Sequence, residues 1–117
     1  MQYMCLIYTA EDAGPQPGTA EFGTFMQDYG AFTTEMRETG RFVTGDALQS
    51  VTTATCVSIH DSKVITTDGP FAETKEQLGG YYVLECKDLD DAIAQAAKIP
   101  TAKHGRVEVR PLVVWDN

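Results

Sequence analysis

Residues 2–8 read Gln-Tyr-Met-Cys-Leu-Ile-Tyr, a short and almost uninterrupted apolar run. Successive side chains of a strand point to opposite faces. Here both alternating sets are apolar, namely Tyr3, Cys5 and Ile7 on one face and Met4, Leu6 and Tyr8 on the other. A short run that is apolar on both faces is typical of a central strand that is covered on both sides. The sequence therefore predicts a central β-strand over residues 2–8.

Two helices are indicated by apolar spacing and by capping residues. Thr19 can cap the first helix and Gly40 can end it, while Asp88 can cap the second and Pro100 can stop it. In the first helix a wide apolar stripe recurs at three- and four-residue spacing: Phe22, Phe25, Met26, Tyr29, Phe32, Thr33 and Met36. In the second helix we expect an inner face of Leu89, Ala92, Ile93, Ala96 and Ala97.

The remaining elements are strands and turns. Over 42–50 we expect a short extended stretch with a turn around Gly45-Asp46. We also expect a hairpin of 53–60 and 63–67 with Asp61-Ser62 at its tip, and strands over 81–86 and 106–114. Pro111 marks an edge strand or a break. The order β-α-β-β(-β)-α-β predicts one α+β domain over residues 1–117, of the ferredoxin-like type with an antiparallel sheet. Because two helices cover only one face of such a sheet, we expect a second copy of the chain on the other face, and hence a homodimer.

The composition excludes several classes of partner. The chain of 117 residues carries 17 acidic and 9 basic side chains, a net charge of -8, which disfavours nucleic acid and anionic membrane surfaces. There is neither a signal-peptide pattern nor an apolar run long enough to span a membrane. The three cysteines, Cys5, Cys56 and Cys86, form no C-x-x-C pair, which favours reduced thiols and a cytoplasmic location. His60 and His104 have no ligand partners at metal-binding spacing, and nothing in the sequence requires a metal or another cofactor.

Residues 67–82, Thr-Asp-Gly-Pro-Phe-Ala-Glu-Thr-Lys-Glu-Gln-Leu-Gly-Gly-Tyr-Tyr, carry the strongest likeness to a known family. With the opening strand, residues 29–32 and residues 107–111, they make the chain resemble the DGPF branch of the YCII-related family over nearly its whole length. The resemblance implies a dimeric α+β barrel and a family without a settled activity. Other barrels of this kind include small isomerases, monooxygenases and dismutases. Genes of the DGPF branch tend to lie beside extracytoplasmic-function sigma factors, which implies a regulatory or accessory role.

Simpler members of the resembled family carry a His–Asp pair that looks like an acid–base dyad. The corresponding positions here are Tyr29 and Ile99. The dyad is therefore absent, and an activity that depends on it does not transfer to this chain.

Asp68 and Tyr29 are the candidate catalytic residues. Asp68 precedes Gly69-Pro70, which stiffens the loop, and we expect Phe71 to anchor that loop in the core. An apolar setting of this kind raises a carboxyl pKa and suits general acid–base work, whereas the structural alternative is a turn cap. Tyr29 is either a core side chain or a hydrogen-bond donor to a substrate oxygen.

Lys75, Glu108 and Arg110 are the candidate ligand-binding residues. Lys75 lies in the polar run 73–77, which is either a solvated face or a lid that binds a carboxylate or phosphate. Glu108 and Arg110 lie two apart on one strand face. They form either a structural ion pair or a grip on an anionic ligand.

Two functions follow from these residues. The first is an accessory or regulatory module that binds a small anionic metabolite or a protein partner such as a sigma factor, whose basic helix would suit the acidic surface. The alternative is a cofactor-independent acid–base enzyme acting on a small organic acid or carbonyl compound through Asp68 and Tyr29. A dry cavity around a perturbed carboxyl would favour the enzyme, and an exposed apolar patch outside the dimer interface would favour the binding module.

Overall fold

The computed structural model describes residues 1–115 and has an α+β fold of the ferredoxin-like type; residues 116 and 117 of the expected domain lie outside the described residues. The strands are β1 Gln2–Thr9, β2 Phe42–Ala47, β3 Thr55–His60, β4 Lys63–Asp68, β5 Gln77–Glu85 and β6 Arg106–Pro111. The helices are α1 Ala20–Glu38 and α2 Leu89–Ala96, and short 3-10 turns occur at Val51–Thr53 and Pro100–Lys103.

β1 occupies the central position that its two apolar faces predict. It pairs antiparallel with β5 on one side and β6 on the other, in a sheet ordered β2-β5-β1-β6. Tyr3, Cys5 and Ile7 are buried in one core with side chains of both helices. On the opposite face the β1 side chains are only half-buried. The helices therefore cover one face, and the other is called the open face below.

The members of the open face follow from strand register. Met4 pairs with Val83 on β5 and with Arg110 on β6, and Leu6 pairs with Tyr81 and Glu108. The open-face side chains used below are Met4, Leu6, Tyr8, Asp46, Tyr81, Val83, Arg106, Glu108 and Arg110. The centre of this face is apolar and its two edges carry the charges.

The capping predictions for both helices are confirmed. The Thr19 hydroxyl accepts a hydrogen bond from the backbone N–H of Phe22 at 3.2 Å, and Gly40 ends α1 with φ of 74°. Asp88 accepts from the backbone N–H of Asp91 at 2.9 Å. These bonds satisfy backbone groups that have no partner inside the helix.

The predicted inner face of α2 is partly wrong. Ala92 and Ala96 are buried as expected, but Gln95 is buried with them, while Leu89 and Ile93 are 50% and 51% exposed. The two small alanine side chains let this short helix lie close to the sheet, and its larger apolar side chains then face outward.

The predicted turn at 45–46 is also wrong, because β2 continues through Ala47. Gly45 lies under the ring of Tyr82, where an added Cβ would be 2.7 Å from a ring carbon. Here glycine permits close packing of the neighbouring strand and does not form a turn.

A salt bridge connects Asp91 in α2 with Arg41, which lies between α1 and β2. Its carboxylate accepts hydrogen bonds from Arg41 Nη1 at 2.5 Å and from the backbone N–H of Lys87 at 2.9 Å. The Arg41 guanidinium and the Lys87 N–H hold the pKa of the Asp91 carboxyl well below its usual range.

The expected hairpin forms with Asp61-Ser62 at its tip, and both residues have positive φ, 49° and 65°. It does not join the main sheet, however. β3 and β4 form a separate two-stranded sheet and pack against no other helix or strand to a comparable extent. We call residues 55–68 the arm. The radius of gyration is 16.3 Å, above the roughly 13 Å of a compact domain of this size, as a projecting arm requires.

The cysteines occupy two kinds of environment. Cys5 and Cys86 are buried, Cys56 on the arm is half-buried, and all three are free thiols. Burial, with a smaller contribution from Cys86, raises the pKa of Cys5 to about 11. None of the helices within residues 1–115 has the length and apolar character needed to cross a membrane.

Candidate functional site

A cleft of about 800 Å³ lies at the end of the sheet where β1 stops and β6 begins. Three segments line it: residues 8–13 at the end of β1 and in the loop that follows, residues 74–76 before β5, and residues 104–108 around the start of β6. Antiparallel pairing of β1 with β6 brings Tyr8 opposite Arg106. The sheet thus assembles the cleft from parts of the chain that are far apart in sequence.

The cleft concentrates basic groups in an acidic chain. Lys75, His104 and Arg106 all line it. The Glu76 carboxylate accepts a hydrogen bond from Arg106 Nε at 2.9 Å, and the carboxylate of Glu108 lies 3.6 Å from Nε of Arg110. Each acidic side chain of the cleft is therefore matched by an arginine. Among the described residues Lys75 has no ion-pair partner.

Arg106 keeps most of its donors available. Its side chain is 81% exposed, and its ion pair with Glu76 uses only Nε. A guanidinium has five N–H donors, so the terminal groups remain for a bidentate contact with a carboxylate or phosphate.

His104 is held in the wall of the cleft. Its ring lies so close to Gly14 that an added Cβ there would be 3.2 Å from it, and Gly14 has φ of 73°. On its other side the ring centroid is 6.0 Å from that of Phe25. His104 is exposed, yet the loop after β1 and helix α1 fix the position of its ring.

Tyr29 lies on the helix-covered side, between α1 and the Pro100–Lys103 turn. Its hydroxyl is 2.5 Å from the hydroxyl of Thr101, and its ring meets that of Phe25 edge to face, with centroids 5.2 Å apart. Burial raises the pKa of Tyr29. These contacts are those of a side chain that joins two elements of the core.

Asp68 lies at the end of β4, opposite Thr55, and is exposed. The expectation that Phe71 anchors the loop in the core is wrong, because Phe71 is 95% exposed. Hydrogen bonds hold residues 72–77 in place instead. One of them runs from the side-chain amide of Gln77 to the backbone oxygen of Ala72 at 2.8 Å. The apolar setting expected around Asp68 is thus missing.

The structure brings together some candidate residues and separates others. Lys75 and Glu108 meet at the cleft, and Arg110 lies beside Glu108 on the same face. Neither Asp68 nor Tyr29 lines the cleft, and no hydrogen bond or ion pair of the described residues joins them. Sequence reasoning missed the roles of Tyr8, His104 and Arg106. The Arg-x-Glu-x-Arg alternation that starts at Arg106 was the available signal for that residue.

Nothing within residues 1–115 resembles a metal centre, since no three His, Cys, Asp or Glu side chains of that part of the chain come together. The chemistry that the cleft offers is recognition of an anion by a guanidinium, an ammonium and an imidazole.

Two comparisons with known proteins match nearly the whole chain. An uncharacterized protein of Rhizobium meliloti (strain 1021) is 34% identical over 117 residues, which covers 98% of this chain and 94% of that protein. The family model for the YCII-related domain matches residues 1–116. The chain is a member of the YCII-related family.

Proposed function

We propose that this protein is a homodimeric accessory or regulatory module that binds a small organic anion in the cleft. One observation carries the proposal: three basic side chains, Lys75, His104 and Arg106, converge on one concave site in a chain with a net charge of -8. Elsewhere the acidic surface repels an anion, so the cleft is its favoured location.

A small carboxylate is the ligand class that fits best. The terminal N–H groups of Arg106 match the two oxygens of a carboxylate, and Lys75 supplies a second positive charge. The volume of about 800 Å³ lies within the usual range for small-molecule sites. Glu108 provides an acceptor for a hydroxyl or amino group on the ligand.

The dimer is part of the proposal because the open face is apolar at its centre. Met4 and Leu6 are half-buried and Val83 is buried on this face, yet no helix covers them. Packing two such faces against each other removes their apolar surface from water.

Binding is favoured over acid–base catalysis by the placement of the candidate residues. The Tyr29 hydroxyl is already hydrogen-bonded to the Thr101 hydroxyl, and the Asp68 side chain is exposed at the base of the arm. A catalytic pair must lie within hydrogen-bond reach of one substrate. No such arrangement supports the enzyme interpretation.

Isothermal titration calorimetry with succinate, and with its uncharged diamide as the comparison ligand, tests the proposal. Arg106→Gln removes a charge-assisted contact worth about 1.5–3 kcal/mol, so succinate affinity should fall roughly ten- to a hundredfold. Lys87→Gln is the matched control, since Lys87 is exposed and lies outside the cleft. Affinity should also fall with added salt.

Two results would contradict the proposal. One is equal succinate affinity in wild type and Arg106→Gln. The other is binding of the diamide as tightly as succinate, which would show that charge does not select the ligand.

A second candidate, a protein partner, is favoured by the exposed apolar pair on α2. Leu89 and Ile93 are one helical turn apart, half-exposed and next to Asp88 and Asp90, which suits a basic amphipathic helix. Fluorescence anisotropy of a labelled basic amphipathic peptide tests it. Ile93→Lys should abolish binding, and equal binding by this variant would exclude the surface.

A further inference from the structure

Strand β3 of the arm is an unprotected strand edge. The main sheet ends at β2 and β6 and the arm ends at β3 and β4, so these are the edge strands of residues 1–115. Charged side chains, bulges and prolines keep a strand edge from pairing with another chain. β2 has a bulge and carries Asp46, β4 carries Lys63 and Asp68, and β6 carries charged side chains and Pro111. Residues 55–60 of β3 have none of these features.

The backbone of β3 can accept a further strand. The N–H of Gly69 donates to the backbone oxygen of Ala54 at 2.7 Å, so Ala54 faces the neighbouring chain segment. Because this direction alternates along an antiparallel strand, residues 55, 57 and 59 direct their N–H and C=O groups away from β4. Apart from the half-buried Cys56, every residue of β3 is exposed. The outer edge of the arm is therefore accessible to a second strand.

The same strand contributes to an apolar face that its own chain leaves exposed. Val57, Ile59 and Val64 lie on one face of the arm and are 65%, 70% and 67% exposed. A two-stranded hairpin alone is marginally stable in water, whereas three or more strands with an apolar face are more stable. An added strand at β3 would supply that support.

The charge distribution favours a second copy of this chain as the source of that strand. Residues 55–68 carry one lysine and two aspartates, Lys63, Asp61 and Asp68, which is a net charge of -1 in a chain of -8. Nearly all of the acidic excess therefore lies on the body, where two copies repel each other. β3 has no charged side chain other than a neutral histidine, so two copies can meet there without this repulsion.

The sequence of β3 is also complementary to itself. When two β3 strands run antiparallel about Ser58, Val57 lies opposite Ile59 of the second copy, and Ile59 lies opposite its Val57. Their outward backbone groups then form hydrogen-bonded pairs, each of which exchanges two bonds. A register centred on Val57 places Ile59 opposite Thr55, and one centred on Ile59 places Val57 opposite Asp61. Only the register about Ser58 pairs both aliphatic side chains with aliphatic ones.

We propose that β3 pairs antiparallel with β3 of a second copy about a two-fold axis at Ser58, so that two arms form one four-stranded sheet. The aliphatic side chains of both arms then lie on the same face of that sheet. The inference goes beyond the proposed function, because neither the cleft nor the open face takes part in this interface. Where open-face dimers form, paired arms join them into larger assemblies.

A charge placed at the strand edge tests the pairing by mass. Val57→Lys brings a lysine opposite Ile59 of the second copy, and light scattering at a fixed protein concentration should show at most half the wild-type mass. Thr66→Lys is the matched control. Thr66 lies directly opposite Val57 within the arm, but its backbone faces the outer edge of β4, so the same added charge should leave the mass unchanged. A mass that Val57→Lys does not change would overturn the inference and leave the edge to a strand of another protein.

A disulfide tests the register. Ser58 and its copy form a pair without backbone hydrogen bonds, with Cα atoms about 4.5 Å apart, a distance that a disulfide spans. In a Cys56→Ser background, Ser58→Cys should therefore give a disulfide-linked dimer on a non-reducing gel after equilibration in a glutathione buffer. Thr66→Cys is the control, because the two β4 strands are about 14 Å apart, three strand spacings, in the proposed sheet. Equal cross-linking of both variants, or of neither, would refute the pairing about Ser58.

The mass of Val57→Lys separates this inference from the proposed open-face dimer. If both interfaces form, this variant is a dimer. If only the arms pair, wild type is a dimer, Val57→Lys is a monomer and Ser58→Cys still cross-links, so the open-face dimer is wrong and the arm pairing stands. If only the open faces pair, wild type and Val57→Lys are both dimers, and the arm pairing is wrong. No ligand is added, so failure of the anion site leaves these outcomes unchanged.

Discussion

Replacing Tyr29 by Phe distinguishes a structural tyrosine from a functional one. The ring keeps its edge-to-face contact with Phe25, and only the hydroxyl bonded to Thr101 is lost. A net hydrogen bond contributes about 0.5–1.5 kcal/mol, and a buried group left without a partner costs about 1–3 kcal/mol. Thr101 is only 6% exposed, so its hydroxyl cannot turn fully to water. We expect Tyr29→Phe to lower the free energy of unfolding by about 1–2 kcal/mol.

A double-mutant cycle assigns this loss to the pair. Thr101→Val removes the same bond from the other side, and the double variant leaves neither polar group orphaned. The sum of the two single-variant losses in unfolding free energy should therefore exceed the loss in the double variant by about 1 kcal/mol. Urea unfolding at one fixed protein concentration is the assay, because the stability of a dimer depends on concentration. Thr53→Val, which removes only an exposed hydroxyl bond to the backbone oxygen of Ser50, is the control and should change stability by less than about 0.5 kcal/mol.

A different pair of results would support a ligand-binding role for Tyr29. Unchanged stability in Tyr29→Phe, together with loss of succinate binding, would mean that the hydroxyl serves a ligand. A coupling energy near zero would show that the Thr101 contact does not contribute to stability.

Four further predictions follow from local geometry. Gly105→Ala places a Cβ 2.1 Å from a backbone oxygen of β1 and should destabilise the fold by on the order of 3 kcal/mol or more. Gly30→Ala, with open space around it in α1, should stabilise by about 0.5–1 kcal/mol in the same urea assay. In the native protein iodoacetamide should alkylate only Cys56 rapidly, because the other two thiols are buried; mass spectrometry showing equal modification of all three would contradict this. The pKa of Asp91 is lowered by Arg41, so the stability that this pair contributes is present above about pH 4 and is lost as the pH falls below it. Asp91→Asn should flatten that part of the stability profile, and an unchanged acid limb would rule out the pair as its cause.

Local sequence patterns were sufficient to predict most of the secondary structure and the position of β1 in the sheet. The almost unbroken apolar run of residues 2–8 predicted β1 at the centre of the sheet, and the capping residues Thr19 and Asp88 predicted the starts of the helices. Asp61-Ser62 predicted the tip of the hairpin. Each of these features depends on side chains within a few residues of one another, where periodicity and hydrogen-bonding capacity are decisive.

The site depended on the tertiary structure because its parts are distant in sequence. Tyr8, Lys75 and Arg106 meet only because β6 returns antiparallel beside β1 and the segment before β5 passes the same end of the sheet. Phe71 was expected in the core because it is aromatic, yet its side chain is exposed to solvent. Residue type gives only a statistical preference for burial, whereas the packing of neighbouring side chains decides it. The hydrophobic pattern likewise predicted that a second apolar face exists on β1. It contains no information on how far the arm extends, and only the folded chain sets the arm and the cleft at one end of the sheet.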